Sequence, residues 1–417
     1  MMRPSVVRLI HSIRDCRNDL SFSAITVGII ATMVSFAGPL AIVFQAAEVA
    51  GLNSEQLSSW IWAISMGSGL TAIVLSILFK APIITAWSTP GAVLLVTSLS
   101  GYSYSEAIGA YIISGLLITI LGVSGLFAKW MNRIPQSIIS AMLAGILLKF
   151  GVDVFLSMKE SPLLVLPMIL SFFMLKRISP SFTVIGTLIV GIMIALGLNQ
   201  LHFENVQIVL STPILALPSF SLEALIGLAI PLCVVTMASQ NATGIGVLRS
   251  DGYQTPVSPL IGTTGFASLI LAPFGSHGVN LAAITAAICT GKEAHPDPSK
   301  RYIAGISSGA MYLLFGSFGA TITSLFMAFP KELLVVIAGL ALFTSLSSSL
   351  SAAMEGKQRE SALVTFLITI SGISIAGIGS AFWGLLAGLL IFFIMSIPTR
   401  KQPLAVKNEK KDVVTWK

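Results

Sequence analysis

The two halves of this sequence carry the same spacing of small residues inside long apolar stretches. The recurring positions are Gly115, Gly122, Gly125, Pro135 and Gly145 in the first half and Gly309, Gly316, Gly319, Pro330 and Gly339 in the second half. The offset between matching positions is 194 or 195 residues throughout. A repeat with an odd number of spans per half is typical of secondary transporters, whose inverted halves form two access paths to one central site.

The composition indicates a membrane protein before any motif is considered. Hydrophobic residues make up 55% of the chain and charged residues only 10%, which is too few charges for an ordinary water-exposed surface. The net charge of +7 comes from basic residues in the tails and in short loops, so it indicates membrane orientation and no nucleic-acid partner. We therefore expect a polytopic protein embedded in the lipid bilayer.

Motifs that would indicate an enzyme or a metal site are missing from the sequence. The three cysteines and four histidines are scattered, and no zinc-protease, P-loop or serine-hydrolase motif occurs. We expect no catalytic residue, no metal and no cofactor, and therefore a protein that is not an enzyme.

Apolar stretches of about 20 residues, the length that crosses a bilayer, follow one another along the chain. They predict an all-α polytopic membrane protein with about fourteen spans in two inverted seven-span repeats. The predicted regions are a cytoplasmic N-terminal tail at 1–21, a first repeat at 22–198, an outer linker at 199–221, a second repeat at 222–397 and a cytoplasmic C-terminal tail at 398–417.

Basic residues test the span count, because cytoplasmic loops are rich in Lys and Arg. With both termini in the cytoplasm, Lys159 and Lys331 are the two basic residues that fall in outer loops. The predicted spans lie near 22–46, 57–79, 81–99, 105–128, 135–156, 161–175, 182–198, 222–241, 257–272, 272–290, 301–327, 331–353, 361–376 and 380–397.

Spans 3 and 10, at 81–99 and 272–290, begin with Pro, Gly, Ser and Thr, so we predict that both are broken spans. A broken helix within a membrane occurs only where protein or a cavity surrounds it, so these two spans mark the site. In the first, Thr89 fits a helix N-cap and Pro90 the first helical position. Two helix starts that face each other would bind an anion without a buried cation. The alternative is that each break is a kink or a surface loop.

Amide side chains lie near both breaks. Gln45 is near the end of span 1, and Gln240 and Asn241 end the predicted span 8. Amides suit a carboxylate ligand, although they also suit ordinary bonds between membrane helices. Aromatic residues that would pack against a substrate ring are Phe36, Trp87 and Phe274.

Ionisable residues within spans are few and are candidates for proton coupling. His277 lies in the second broken span, although a neutral histidine bonded to backbone is the alternative. Glu48 lies at the end of span 1, where an outer-interface position is the alternative. Lys149 and Asp153 are four residues apart on one predicted helix and are expected to neutralise each other.

Short motifs from the first span to the last resemble one known family. They are Phe44 to Ala47, Thr85 to Gly91, Ala141 to Leu147, Thr236 to Asn241, Pro256 to Leu260, Ala282 to Cys289 and Gly379 to Gly384. They are similar to those of the benzoate:proton symporter (BenE) family of bacterial inner-membrane carriers. The resemblance covers essentially the whole membrane region.

The resemblance implies a bacterial inner-membrane location and a fold similar to carriers of the uracil permease type. In that fold, spans 1–4 and 8–11 form a substrate-carrying core, and spans 5–7 and 12–14 form a gate. Uracil-permease-like carriers hold substrate and couple protons through buried glutamates of spans 8 and 10. This sequence has Ser239 to Asn241 and His277 to Asn280 there. The missing negative charge favours an anionic substrate and leaves the proton carrier unidentified.

The sequence therefore predicts a secondary active transporter that imports benzoate or a similar aromatic monocarboxylate with protons by alternating access. A nucleobase or other organic-anion carrier of the same fold and an anion channel are alternatives, and a homodimer is left open. The predicted substrate-binding residues are Phe36, Gln45, Trp87, Ser88, Thr89, Pro90, Gly91, Gln240, Asn241, Phe274, His277, Gly278 and Asn280.

Overall fold

The structure, a computed structural model, describes residues 16, 18–127, 135–206, 208–282, 284–355, 358–373, 375 and 380–397. The predicted C-terminal tail at 398–417 and most of the predicted N-terminal tail at 1–21 lie outside the described residues.

Long helices interrupted by short strands make up both halves of the chain. The first half contains α1 (Phe22–Ala37), α2 (Pro39–Val49), α3 (Ser54–Phe79), β1 (Thr85–Trp87), α4 (Thr89–Ser98), α5 (Tyr104–Val123), α6 (Gln136–Leu156), α7 (Pro162–Ile178) and α8 (Thr183–Gly197). The second half contains α9 (Leu222–Arg249), α10 (Val257–Leu271), β2 (Val279–Leu281), α11 (Ile284–Thr290), α12 (Tyr302–Ser317), α13 (Gly319–Met327), α14 (Lys331–Met354), α15 (Arg359–Ser371) and α16 (Ser380–Met395).

Seven of the described helices are long and apolar enough to cross a membrane. An eighth results if α12 and α13, which are bent by 69° relative to each other, count as one span. Three shorter apolar helices lie at Thr89–Gly101, Thr183–Gly197 and Ser380–Met395. The chain is therefore a mostly helical, multi-pass membrane protein.

Local sequence accounts for several helix ends. Asn53 and Gln56 form a reciprocal capping box at the start of α3, in which each side chain accepts from the other's backbone N–H. Pro39 begins α2 directly after Gly38, which divides the predicted first span into two helices.

The predicted end of span 8 at residue 241 is wrong, because α9 continues to Arg249. The polar run that indicated an end is a π-helical turn, Thr236–Asn241, inside the helix. A π-turn widens the helix by one residue and is frequent at functional sites. The polar side chains therefore lie within the span and not after it.

Helices of the two halves pack on each other in two matching pairs. α5 packs along α10, and α12 packs along α3. A Cβ on Gly115 would lie 2.7 Å from the backbone nitrogen of Leu269, and a Cβ on Gly309 would lie 2.7 Å from the carbonyl oxygen of Gly69. The repeated glycines thus let helix backbones touch, as small residues do at membrane-helix interfaces.

A second group of helices packs around α6 and α14, which lie against each other. α7 pairs with α8, and α15 pairs with α16. α15 also packs on α6, and α7 packs on α14. Gly339 of α14 is required at this contact, because a Cβ there would meet the side chain of Val154 and the carbonyl of Phe150.

The segment 199–221 runs across the end of the bundle at which α3 and α5 begin. The N–H of Ile214 donates to Ser59 Oγ at 2.8 Å, and the N–H of Ala216 donates to the carbonyl of Pro273 at 2.8 Å. We call this end of the bundle the linker end.

Candidate functional site

The two broken spans meet as a two-stranded antiparallel ribbon in the interior of the protein. β1 pairs with β2 so that Ala86 lies opposite Asn280 and Trp87 lies opposite Val279. The pairing continues past the strands, since the N–H of Ser88 donates to the carbonyl of Gly278 at 3.2 Å. Both breaks agree with the prediction: each consists of an extended segment followed by a short helix, α4 or α11.

The start of α4 differs in one detail from the sequence prediction. Ser88, and not Thr89, is the N-cap, because Ser88 Oγ accepts from the N–H of Gly91 at 3.1 Å. Thr89 and Pro90 are the first two helical residues. Ser88 Oγ also shares a hydrogen bond of 2.8 Å with Thr236 Oγ1 of α9, which ties the helix start to the π-turn.

The second broken span is held by side chains from other helices. Gly275 and Gly278 have φ values of 102° and 144°, which only glycine adopts without strain. Ser268 Oγ of α10 accepts from the N–H of Val279 at 2.8 Å, and its proton is shared between the carbonyls of Thr264 at 2.8 Å and Val279 at 3.2 Å. Residue 283, just before α11, lies outside the described residues.

Asn241 and Gln240 differ in their surroundings although they are adjacent. Asn241 is fully buried, and its Oδ1 accepts from the N–H of Leu281 at 2.9 Å. Its Nδ2 donates to the sulfur of Met237 at 3.3 Å, a weak acceptor. Gln240 is half-buried. The structure thus gives Asn241 a role in supporting the second break, which the sequence did not indicate.

His277 bridges the two broken spans. Trp60 Nε1 donates to His277 Nδ1 at 2.9 Å, and His277 Nε2 lies 3.0 Å from the carbonyl oxygen of Ser88. Since Nδ1 accepts from an indole N–H, which only donates, the ring is neutral with its proton on Nε2. In this conformation His277 is the neutral histidine bonded to backbone, the second of the two predicted alternatives.

Aromatic rings surround Trp87. The ring centroid of Phe36 lies 5.1 Å from that of Trp87, and the centroid of Tyr312 lies 5.7 Å from both. Phe315 packs edge-on against Phe36 at 4.8 Å. Phe36 and Trp87, both predicted to contact a substrate ring, therefore lie next to each other. Phe274 instead packs its ring against Trp62 at 5.6 Å.

Several buried polar atoms on or beside the ribbon have no hydrogen-bond partner among the described residues. They are Trp87 Nε1, both amide atoms of Asn280, Ser276 Oγ and Tyr312 Oη. Ser35 lies near Tyr312, but no hydrogen bond of good geometry joins their hydroxyls. Unpaired buried polar atoms are costly, and a cluster of them is expected where a polar ligand binds.

Gln45 and Glu48 lie away from the ribbon, on α2 near the linker end. Gln45 Nε2 is buried without a partner among the described residues. The side chain of Glu48 is 66% exposed, and its Oε1 lies 3.2 Å from Lys331 Nζ. This agrees with the interface position that the sequence left as an alternative for Glu48. The predicted ion pair of Lys149 with Asp153 is absent, since Lys149 is in neither ion pair found within 4.0 Å in the described part of the chain.

Sequence reasoning missed Trp60 and Tyr312, because each is a single aromatic residue in an apolar span and nothing in its spacing separates it from an ordinary packing residue. Thr236 opens the motif Thr236 to Asn241, but the sequence did not single it out as a site residue. No group of three or more His, Cys, Asp or Glu side chains with metal-binding geometry occurs among the described residues.

Comparisons with known proteins decide the family. The family described as benzoate membrane transport protein (BenE) matches residues 18–394. The chain belongs to this family. An Escherichia coli K12 protein named inner membrane protein YdcO is 42% identical over 371 residues, covering 89% of this chain and 95% of that protein. A benzoate membrane transport protein of Acinetobacter baylyi is 41% identical over 387 residues, covering 93% of this chain and 98% of that protein.

Solved structures with a similar fold are anion-transporter structures of much lower identity. SLC26A9 matches with a TM-score of 0.61 at 13% identity, over 89% of this chain and 65% of that chain. The transmembrane domain of the cyanobacterial bicarbonate transporter BicA matches with a TM-score of 0.53 at 12% identity, over 89% of this chain and 98% of that chain. At these identities the likeness concerns the fold alone.

Membership of the BenE family makes this chain a membrane transporter and not an enzyme, as the sequence predicts. Its apolar helices and its inner-membrane relative make it a multi-pass protein of the bacterial inner membrane.

Proposed function

We propose that this BenE-family protein imports benzoate or a similar aromatic monocarboxylate together with protons, by alternating access. The observation that carries the proposal is the combination of aromatic rings and unpaired polar atoms at the crossing of the two broken spans. An aromatic acid needs both features, because its ring requires apolar contact and its carboxylate requires hydrogen-bond donors.

In the proposed site the carboxylate lies at the start of α4, where Thr89, Pro90 and Gly91 form the first helical turn. Asn280 Nδ2 and Trp87 Nε1 are buried donors without partners among the described residues. A helix start carries partial positive charge, which favours an anion. Ser88, Gln240, Asn241, His277 and Gly278 complete the proposed surroundings, whereas Gln45, predicted for this site from the sequence, lies away from the ribbon and lines a different cavity.

The substrate ring is proposed to pack against Phe36 and Trp87, with Tyr312 added to the predicted set. Phe36 and Trp87 meet edge to face with planes at 87°, so they form two walls of a corner. Phe274 remains a proposed contact toward the linker end, beside Trp62.

Alternating access is proposed to use two inverted seven-span repeats, for a total of fourteen spans. Equivalent helix contacts between the two halves support this. α5 of the first half packs on α10 of the second half, and α12 of the second half packs on α3 of the first half. Spans 1–4 and 8–11, which contain both broken spans, would form the moving core, and spans 5–7 and 12–14, which include α6 and α14, would form the gate. The proposed regions are those predicted from the sequence, at 22–198 and 222–397.

Protons are proposed to enter with the substrate, because an anion entering a negative-inside cell alone is opposed by about 2.3 kcal/mol per 100 mV. His277 and Glu48 are the side-chain candidates, and uptake of the neutral acid is the alternative. Protonation of His277 at Nδ1 would displace the indole N–H of Trp60, so His277 can carry a proton only after that hydrogen bond opens.

Counterflow of labelled benzoate in proteoliposomes, with and without a pH gradient, tests the proposed function. We expect saturable exchange and accumulation driven by an inward proton gradient. Transport of uracil or xanthine instead of benzoate would indicate a nucleobase carrier. Flux that neither saturates nor responds to the proton gradient would indicate an anion channel.

The proton carrier is tested with His277→Gln and Glu48→Gln in the same assay. If His277 is the carrier, His277→Gln keeps counterflow and loses accumulation driven by the pH gradient, whereas Glu48→Gln keeps both. Full accumulation in both variants would leave uptake of the neutral acid as the explanation.

Both termini are proposed to be cytoplasmic, with residues 199–221 on the outer face. Labelling of intact cells with a membrane-impermeant thiol reagent should modify a cysteine placed at Glu204 and spare one placed at Lys407. The opposite pattern would invert the topology without affecting the site.

A further inference from the structure

We propose that the protein has a second, shallower binding site for aromatic carboxylates in a cavity at the linker end. This inference rests on the proposed function and adds the place where the substrate is first captured. The cavity has a volume of about 750 Å³ and is bounded by α2, α6, α13 and the start of α14. It lies apart from the ribbon, since none of Trp87, His277 and Asn280 lines it.

Four of the residues that line this linker-end cavity are aromatic, namely Phe44, Phe150, Phe326 and Phe329. Phe44 of α2 and Phe326 of α13 stack with ring centroids 4.6 Å apart and planes at 13°. Phe329 packs against Phe326 at 5.6 Å, and Phe150 of α6 faces the same space. These rings already pack on one another, so the ring of a benzoate would lie against the cavity-facing side of this aromatic group, in the stacked or edge-on contacts that aromatic pairs favour.

One cation in the cavity is free to bind a carboxylate. Lys149 lines the cavity, is exposed, and has no carboxylate oxygen within 4.0 Å among the described residues. The second cation, Lys331, is already paired with Glu48 at 3.2 Å. Asp153 lies one helical turn from Lys149 and also lines the cavity, so its negative charge opposes an anion there.

A buried donor also points to a ligand at this place. Gln45 lines the cavity, and its Nε2 is buried without a partner among the described residues. Gln45 and Glu48 are three residues apart on α2 and therefore share one helix face. A carboxylate held by Lys149 and Gln45 would lie between α2 and α6, which belong to the proposed core and gate.

The predicted consequence is a site that raises the local concentration of substrate and leaves the later steps of transport unchanged. Lys149 should therefore affect the KM for benzoate taken up from the linker end and not the maximal rate. Removing the charge of Asp153 should lower the same KM, because its negative charge then no longer weakens the attraction of Lys149 for the substrate carboxylate.

The test measures initial rates of benzoate uptake in membrane vesicles of both orientations for Lys149→Gln, Asp153→Asn and the control Lys159→Gln. Lys159 carries the same charge ten residues further along the chain and does not line the cavity. We expect KM to rise about fivefold in Lys149→Gln and to fall about twofold in Asp153→Asn. Changes of this size are typical when one partly exposed side-chain charge no longer interacts with the substrate carboxylate. Lys159→Gln and the maximal rates should not change.

The outcomes separate this proposal from the proposed function. Wild-type protein that transports benzoate, together with an unchanged KM in Lys149→Gln, would overturn the second site and leave the transporter intact. An equal rise of KM in Lys159→Gln would also overturn it, because general surface charge would then explain the effect. Wild-type protein that does not transport benzoate would overturn both. Lys149→Arg should restore the wild-type KM.

The two vesicle orientations add a further check. The change of KM should appear only when substrate is added on the side that labels a cysteine at Glu204, because residues 199–221 lie at the same end as the cavity. A change of KM on the opposite side would overturn the assignment of this cavity as the capture site.

Discussion

The two broken spans have the same outline, and the serines that brace them act in the same way. Ser76 of α3 accepts from the N–H of Ile83 and donates to its carbonyl, both at 3.1 Å. Ser268 of α10 likewise accepts from the N–H of Val279 at 2.8 Å, while its hydroxyl proton is shared between the carbonyls of Thr264 at 2.8 Å and Val279 at 3.2 Å. In each half, one serine from the preceding helix thus accepts from a buried backbone N–H that a continuous helix would have paired internally.

The two spans differ where their strands end. The first caps its own helix, since Ser88 Oγ accepts from the N–H of Gly91 three residues later. The second depends on a distant residue, because the N–H of Leu281 donates to Asn241 of α9. The start of α4 therefore has a local cap, with Thr236 of α9 as a further partner of Ser88, whereas the N–H of Leu281 in the second break depends on α9 alone. Loss of Asn241 should therefore lower stability as well as alter the site.

The largest expected loss of stability concerns the bracing serine that each broken span has. Ser268→Ala leaves the buried N–H of Val279 without its acceptor, and Ser76→Ala leaves the buried carbonyl of Ile83 without its donor, so each should lower the free energy of unfolding by up to about 3 kcal/mol. Thermal unfolding of the purified protein in detergent measures this loss. Ser348→Ala, at an exposed helical serine, is the control and should have no effect. If only one of the two serine variants lost stability, the two broken spans would not be braced in the same way.

The next effect tests the difference at the strand ends. Asn241→Ala leaves the buried N–H of Leu281 without a partner and should lower the free energy of unfolding by about 1–3 kcal/mol. Gln240→Ala, its neighbour, should leave stability unchanged. Both variants should weaken benzoate binding in equilibrium measurements. Equal stability of the two variants would show that Asn241 does not support the second break.

A smaller effect is expected at the helix cap of the first span. Ser88→Ala removes an N-cap and should lower the free energy of unfolding by about 1 kcal/mol. Ser88→Thr, which keeps a hydroxyl able to cap, should recover most of the loss in the same unfolding measurement. If Ser88→Ala were as damaging as Asn241→Ala, the hydrogen bond of Ser88 with Thr236 of α9 would contribute as much to stability as the local cap.

The smallest effect on stability is expected at Asn280, whose amide atoms have no partner among the described residues. Asn280→Ala removes no hydrogen bond, so the melting temperature should stay the same or rise. If Asn280 donates to the bound carboxylate, benzoate affinity should fall about 10- to 150-fold, as for loss of one donor to a charged ligand. Unchanged affinity, measured by equilibrium binding, would remove Asn280 from the site.

Apolar length and helix-breaking residues sufficed to predict most of the fold. The predicted spans near 57–79, 135–156 and 331–353 correspond to α3, α6 and α14, with ends that differ by at most three residues. The predicted breaks of spans 3 and 10 correspond to β1 and β2 with their following short helices. These features depend on residue type and spacing alone, so a sequence carries them directly.

The site was only partly predictable. Trp87 and Asn280 were predicted because they lie in broken spans, and Phe36 was predicted as an aromatic residue of the first span. The contacts of Tyr312 with Trp87 and of Trp60 with His277 join residues more than 200 positions apart in the chain. No spacing rule relates residues at such separations.

By itself, the sequence determined that this chain crosses a membrane many times, that two of its spans are broken, and that it belongs with transporters of the benzoate type. Each of these follows from hydropathy, from the positions of Pro and Gly, or from short motifs. All of these signals depend on residues that are close together in the sequence. Tertiary structure alone decided which polar groups are already satisfied. Whether Asn241, His277 or Lys149 is free to bind a ligand depends on which helix faces it, because a hydrogen bond made within the protein removes that group from the site.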